Sequence, residues 1–238
     1  MIDAAEVLDP VRADVVVIGA VAVQVALDGR GVALTPTRDV DAGVPTEAVD
    51  RVVACLEGRG LRRSDVAHER SFTWVREDLK VQLLRPFHPF PRGAARGLPV
   101  QNLVGELDGF RRAVVFDGSP TRERFQIASP AALVALKGQA FGRMRASGEI
   151  VERDFSDAAL LLDRLGEEIA AEVEVPSPMQ ARVRRAAQTL LADEAAIGAA
   201  SRELVRAGQE ESRRAAEAMA RRGAERFLRR LDRGSANR

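Results

Sequence analysis

Apolar residues follow two rhythms along this chain: short β-branched runs and alternation dominate before residue 130, and a helical period dominates after it. The run "DVVVIG" reads as a strand, followed by a tight turn at Gly19-Ala20. The smaller residues of "VAVQVAL" continue as a helix that Gly29 and Gly31 end. A second strand begins after Pro36 in "VALTPTRDVDAGV". Pro45 and Thr46 then open a helix in which Val49, Val52, Val53 and Leu56 form an i, i+3, i+4, i+7 stripe, with Gly58 or Gly60 as its stop. "SFTWV" and "LKVQLL" on either side of the charged "RED" predict a hairpin. "PFHPFPRGAARGLP" carries too much proline and glycine for a central strand or a regular helix and reads as a long loop.

In the second half, "SPAALVALKGQAFGRMRAS" predicts a helix with Ser129 as N-cap and Pro130 at its first position. "ERDFSDAALLLDRLGEEIA" predicts another, with Leu161, Leu162 and Leu165 on one side, and two more helices follow from residue 176. The pattern is that of an α+β protein, a mixed sheet flanked by helices with a helical C-terminal extension. Its expected divisions are an α/β core over 1–110, a helical second half over 111–175 and the extension over 176–238.

Composition narrows the class. The chain has 238 residues, 46% hydrophobic and 30% charged, which predicts a soluble globular protein with a substantial core. Its 36 basic side chains against 35 acidic ones exclude a generally basic nucleic-acid binder, though not a local basic surface. Such a surface is concentrated in Ser212–Arg238, where nine arginines face only Glu217, Glu225 and Asp232. There Ala216, Met219, Ala220, Ala224, Phe227, Leu228 and Leu231 trace an apolar helical stripe, leaving the arginines on the other face. That face reads either as solvated or as an electrostatic platform for RNA. With no Tyr, one Trp and nine Phe, tracking of phosphates is favoured over base stacking.

Cys55, the only cysteine, excludes an intramolecular disulfide and a cysteine zinc cluster, and reads as a core residue. His68 and His88 lack metal-ligand spacing. "MIDAAEVLDP" has acids where a secretory signal has a basic region, and "VVVIGAVAVQVAL" is too short to cross a bilayer core of ~30 Å, so a cytoplasmic protein without membrane contact is expected.

Candidate chemistry begins with "TPTRDVDAGV". On a strand, Asp39 and Asp41 point to the same face, and two like charges side by side are costly unless a cation lies between them. Lys80 and Lys137 are the only lysines in an otherwise arginine-based set of cations, which marks positions where an ammonium is retained.

The order Gly19-Ala20, helix, then "TRDVD" on the next strand resembles the nucleotidyltransferase superfamily, specifically the AbiEii-like abortive-infection toxins of bacteria. The resemblance implies that Gly19 and Ala20 cradle the phosphates of an NTP and that Asp39 and Asp41 hold Mg²⁺ or Mn²⁺, with Arg38 steadying a phosphate or capping the strand. Ala20 departs from the family's usual second Gly or Ser. The assignment is physically sound, because glycine admits close approach, helix N-terminal amides favour anions and Mg²⁺ takes carboxylate plus phosphate oxygens.

"SPAALVALKGQAFGR" and "VERDFSDAALLL" resemble two later elements of the same family. They imply that Lys137 binds triphosphate, that Asp154 or Asp157 orients it or assists the nucleophile, and that Arg143 is a second phosphate contact or a solvated charge. An ordinary ion pair between helices is the competing reading of Lys137 and the aspartates. One departure matters: where many relatives carry a third carboxylate, "LKVQLL" has Lys80 and Gln82, and Gln82 cannot serve as an anionic base.

The implied activity is Mg²⁺-dependent transfer of a nucleoside monophosphate from an NTP to an acceptor hydroxyl of RNA, tRNA or protein, in a toxin paired with a cognate antitoxin. The alternative is a catalytically degenerate module of the same fold that binds nucleotide or a protein, with Lys80 replacing the metal as counter-charge to the Asp pair. A helical interaction protein dominated by its tail is a further reading.

Overall fold

A computed structural model describes residues 6–32, 37–86, 93–114, 124–147 and 152–236, with backbone alone at 108, 140, 142–147 and 234–236. His88 and the side chain of Arg143 lie outside the described residues.

The first strand, β1 (Val16–Ile18), is buried along its whole length, as a β-branched run enclosed on both faces should be. Helix α1 (Gly19–Leu27) follows without a linker. Strand β2 (Asp39–Gly43) pairs antiparallel with β1, so that Ile18 lies opposite Asp41. Helix α2 (Val49–Gly58) follows a 3₁₀ turn at Thr46–Ala48 and buries the expected stripe of Val49, Val52, Val53 and Leu56. Of the two glycines offered as its stop, Gly60 supplies the left-handed residue, at φ +81°. Its N–H reaches the Glu57 carbonyl at 3.0 Å, while that of Leu61 reaches Leu56 at 3.1 Å, the paired bonds of a Schellman end.

The predicted hairpin forms as β4 (Thr73–Arg76) and β5 (Leu79–Leu84). Arg76 stays in the ladder opposite Leu79, so the turn is only Glu77-Asp78, with Glu77 at φ +54°. Three short strands had no clear signature in the sequence: β3 (Arg62–Arg63), β6 (Arg111–Val114) and β7 (Phe125–Ala128). Together they complete a seven-stranded mixed sheet in the order β3-β4-β5-β2-β1-β7-β6. Within the Pro/Gly-rich loop, Gly93–Gly97 forms a 3₁₀ turn anchored by an Ala94 N–H that donates to Asp50 of α2 at 3.0 Å.

The helical half comprises α3 (Pro130–Ser147), α4 (Glu152–Glu172), α5 (Pro178–Ala192), α6 (Glu194–Arg206) and α7 (Arg213–Ala236). Where the pattern after 176 predicts two helices, three are present. Asp193 divides the first of them: it ends α5 in an extended conformation, and its carboxylate accepts the N–H groups of Ala195 and Ala196 to start α6. Helix α4 packs against α7, α3 and α6. A Cβ on Gly223 of α7 would lie 2.7 Å from the Asp163 nitrogen, and one on Gly138 of α3 would lie 2.6 Å from the Ala186 Cβ, so glycine sets both close helix approaches. The apolar stripe of α7 is buried as expected except Leu228, which is half-buried.

The α+β architecture with its mixed sheet and helical C-terminal half is therefore present. The chain divides into two compact units, Met1–Ala22 with Pro36–Ala128 and Val23–Thr35 with Ser129–Arg238. Contacts thus place one boundary at 128/129 and assign residues 23–35 to the helical unit, where the sequence pattern suggested boundaries after 110 and 175.

Candidate active site

In the sheet unit, the residues of interest share one face. The parallel register of β2 and β5 sets Asp39 beside Lys80 and Asp41 beside Gln82, and the β4–β5 register continues the second row to Thr73. The intervening residues Val40, Val81 and Trp74 point to the opposite, fully buried side. Asp39 is exposed and Asp41 half-buried.

Gly19 is the pivot. It begins α1 at φ +67°, and a Cβ there would lie 2.8 Å from the Asp41 Cγ and closer still to its Oδ2. Both the backbone angle and the neighbouring carboxylate therefore require glycine. The approach brings Asp41 to the start of α1, where free amides and the helix dipole favour negative charge.

Arg38 makes an exposed ion pair with Asp78. The Thr37 hydroxyl accepts the Asp39 N–H at 3.2 Å. Lys80 turns to Glu69, with Nζ donating to Oε1 at 2.9 Å. That bond, together with the charge of nearby Asp39, holds the ammonium above its ordinary range, and it holds the Glu69 carboxyl below its own. Lys80 is thus clamped to Glu69 rather than buried against the Asp pair, and its side chain stays 32% exposed.

Two polar groups on this face escaped the sequence reading. Glu69 precedes β4 in an irregular segment, where no periodicity singles out an acid. Thr73 has a buried hydroxyl without a hydrogen-bond partner among the described residues, in the same row as Gln82 and Asp41. Counting the hairpin register outward from a two-residue turn would have found it.

The second group lies in the helical unit. Lys137 on α3 places Nζ 2.6 Å from Asp154 Oδ1 and 2.7 Å from Asp157 Oδ2 on α4. The three-residue spacing of the aspartates puts both on one helix face, and both engage the lysine. Lys137 is 8% exposed and Asp157 7%. Burial by itself would lower the lysine's pKa, yet the two carboxylates outweigh it and hold the ammonium well above its ordinary range. The group is therefore a fixed cation at neutral pH, suited to positioning or charge stabilisation and unsuited to proton abstraction. Beside it, Phe141 and Phe155 stack with centroids 4.1 Å apart and planes 8° from parallel, closing the same α3–α4 interface.

The structure thus brings Gly19, Asp39 and Asp41 together with Lys80, Gln82, Glu69 and Thr73, and separately brings Lys137 to Asp154 and Asp157. The first group belongs to the sheet unit and the second to the helical unit. Among the described residues, no set of three or more His, Cys, Asp or Glu side chains forms a metal cage, and no helix is long and apolar enough to cross a membrane. No family model, curated protein or solved structure matches the chain.

Proposed function

We propose that the chain is a nucleotidyltransferase that moves a nucleoside monophosphate from an NTP to an acceptor hydroxyl, preferentially on RNA, with release of pyrophosphate. The observation that carries this reading is the meeting of Gly19, at the start of α1, with Asp41, whose strand presents Asp39 on the same face. A turn closed to any side chain, a helix N-terminus and two carboxylates at that spacing form a place for a cation and a polyphosphate.

The donor set fits Mg²⁺ or Mn²⁺, because such ions are held by one or two carboxylates and take their remaining oxygens from substrate phosphates and water. Asp39 and Asp41 would hold the ion. When bound, the ion supplies positive charge against the charge developing on the triphosphate. The sheet unit's own contribution is positioning: the Gly19 turn holds the Asp41 carboxylate at the start of α1, on the face that Asp39 shares. In the reaction the acceptor oxygen bonds to the α-phosphorus, the bridge to the β-phosphate breaks, and the hydroxyl proton is lost.

The test is label transfer from each NTP, radiolabelled at the α-phosphate, to total RNA in Mg²⁺, comparing wild type with Asp41→Asn and Lys137→Ala. Transfer by the wild type that both variants lose is the expected result. A specific observation favours a second reading, a degenerate nucleotide-binding module: Lys80 and Gln82 stand in register with the two aspartates where a third carboxylate would serve. That reading expects no transfer and NTP binding indifferent to Mg²⁺; its expected burial of Lys80 against the Asp pair is not met, because Lys80 pairs with Glu69.

A further inference from the structure

Helix α4 is interrupted at Leu165, whose φ of −124° and ψ of 15° leave the helical range. Next to this kink lies a cavity of about 410 Å³, lined by Leu162–Glu168, by Arg30 and by the C-terminal half of α7. All of its walls belong to the helical unit.

The contribution of α7 is Arg226, Arg229, Arg230 and Arg233, an i, i+3, i+4, i+7 series that puts four guanidinium groups on one helix face. Like charges at these spacings repel. Basic residues suit a helix C-terminus, so part of this cost is offset by the dipole. Here the cations converge on a concavity rather than a convex surface, with all four side chains exposed to an incoming anion. The lining acids only partly answer them, with six arginines against Asp163, Glu167 and Glu168.

Two of those acids, Asp163 and Glu168, are already engaged. Arg226 donates to the Asp163 side chain at 2.7 Å and to its backbone carbonyl at 3.0 Å, at the kink itself. Arg164 lies 3.4 Å from the same carboxylate, and Arg30 pairs with Glu168. Arg229 lies 3.6 Å from Glu225 on its own helix, so Arg230 and Arg233 are left without an ion-pair partner among the described residues.

We infer that this cavity is a binding site for adjacent phosphate groups, with Arg230 and Arg233 as its principal contacts and Arg226 as a pre-positioned third. Planar guanidinium forks at successive turns match phosphate oxygens pairwise. The source is either the backbone of an RNA strand or a free polyphosphate. The inference stands on the helical unit alone and does not depend on nucleotidyl transfer.

It is tested on the full chain with two probes, inorganic triphosphate by calorimetry and a short fluorescein-labelled single-stranded RNA by anisotropy. Arg230→Glu/Arg233→Glu is compared with Arg214→Glu/Arg222→Glu, which makes the same change in charge on exposed α7 positions outside the cavity. Circular dichroism confirms that both variants are folded. The site predicts that the cavity variant alone loses binding and that, for RNA, its salt dependence between about 50 and 200 mM is shallower by about two counterions. RNA binding with this pattern identifies a strand as the ligand, and triphosphate binding without RNA binding identifies a free polyphosphate. Equal loss in both variants, or no binding of either probe, overturns the inference.

Discussion

Gly19 and Lys137 are the most tightly constrained positions of the two candidate groups at the scale of single residues, and each makes a prediction that stability measurements can check. Gly19→Ala would place a methyl against the Asp41 carboxylate at a φ of +67°, so destabilisation of about 1–3 kcal/mol is expected in denaturant titrations, together with loss of NTP binding. Lys137→Met would strand two carboxylates at a buried interface, with an expected loss of about 3–5 kcal/mol at neutral pH. Adding Asp154→Asn and Asp157→Asn should recover part of that loss. The sign with pH follows from the raised pKa. The lysine's contribution is complete below its ordinary 10.5 and disappears as pH rises through the higher folded value, so wild type and Lys137→Met should converge in strong alkali.

Among the elements, the helices are set by local devices as much as by hydrophobic stripes. Asp193 interrupts what periodicity reads as one helix, and Asp193→Ala should cost about 1 kcal/mol by removing the cap of α6. Gly223 lets α7 lie against the backbone of α4 at Asp163, and Gly223→Ala should force the helices apart at a cost of about 1–3 kcal/mol, read as a lowered denaturation midpoint. The stripes of α2 and α7 were legible because burial on one side of a helix imposes a period. The α5–α6 break was not, since a cap needs only one carboxylate and leaves that period nearly intact. Strands β6 and β7 escaped for a different reason: each spans four residues, too few for alternation to stand out.

At the scale of the whole molecule, the helical unit is discontinuous in sequence, because residues 23–35 belong to it although ninety-three residues of sheet unit separate them from Ser129. Residues 129–238 expressed alone would lack the buried Leu27 and the Arg30–Glu168 pair. Their thermal midpoint by circular dichroism should fall below that of the same segment fused to 23–35.

The sequence by itself determined the α+β class, the strand–glycine–helix order, the pairing of Asp39 with Asp41 on one face, and the sharing of a helix face by Asp154 and Asp157. All of these follow from local periods of two and 3.6 residues. Only the tertiary structure decided that Asp41 closes on Gly19, that Lys80 answers to Glu69, that Lys137 engages both aspartates at once, and that four arginines of α7 border a cavity at the α4 kink. Each of those depends on which distant segment packs opposite, through strand register, close helix approach or the position of a kink. A local pattern constrains which side a residue faces, while its partner is set by how the whole chain closes its core.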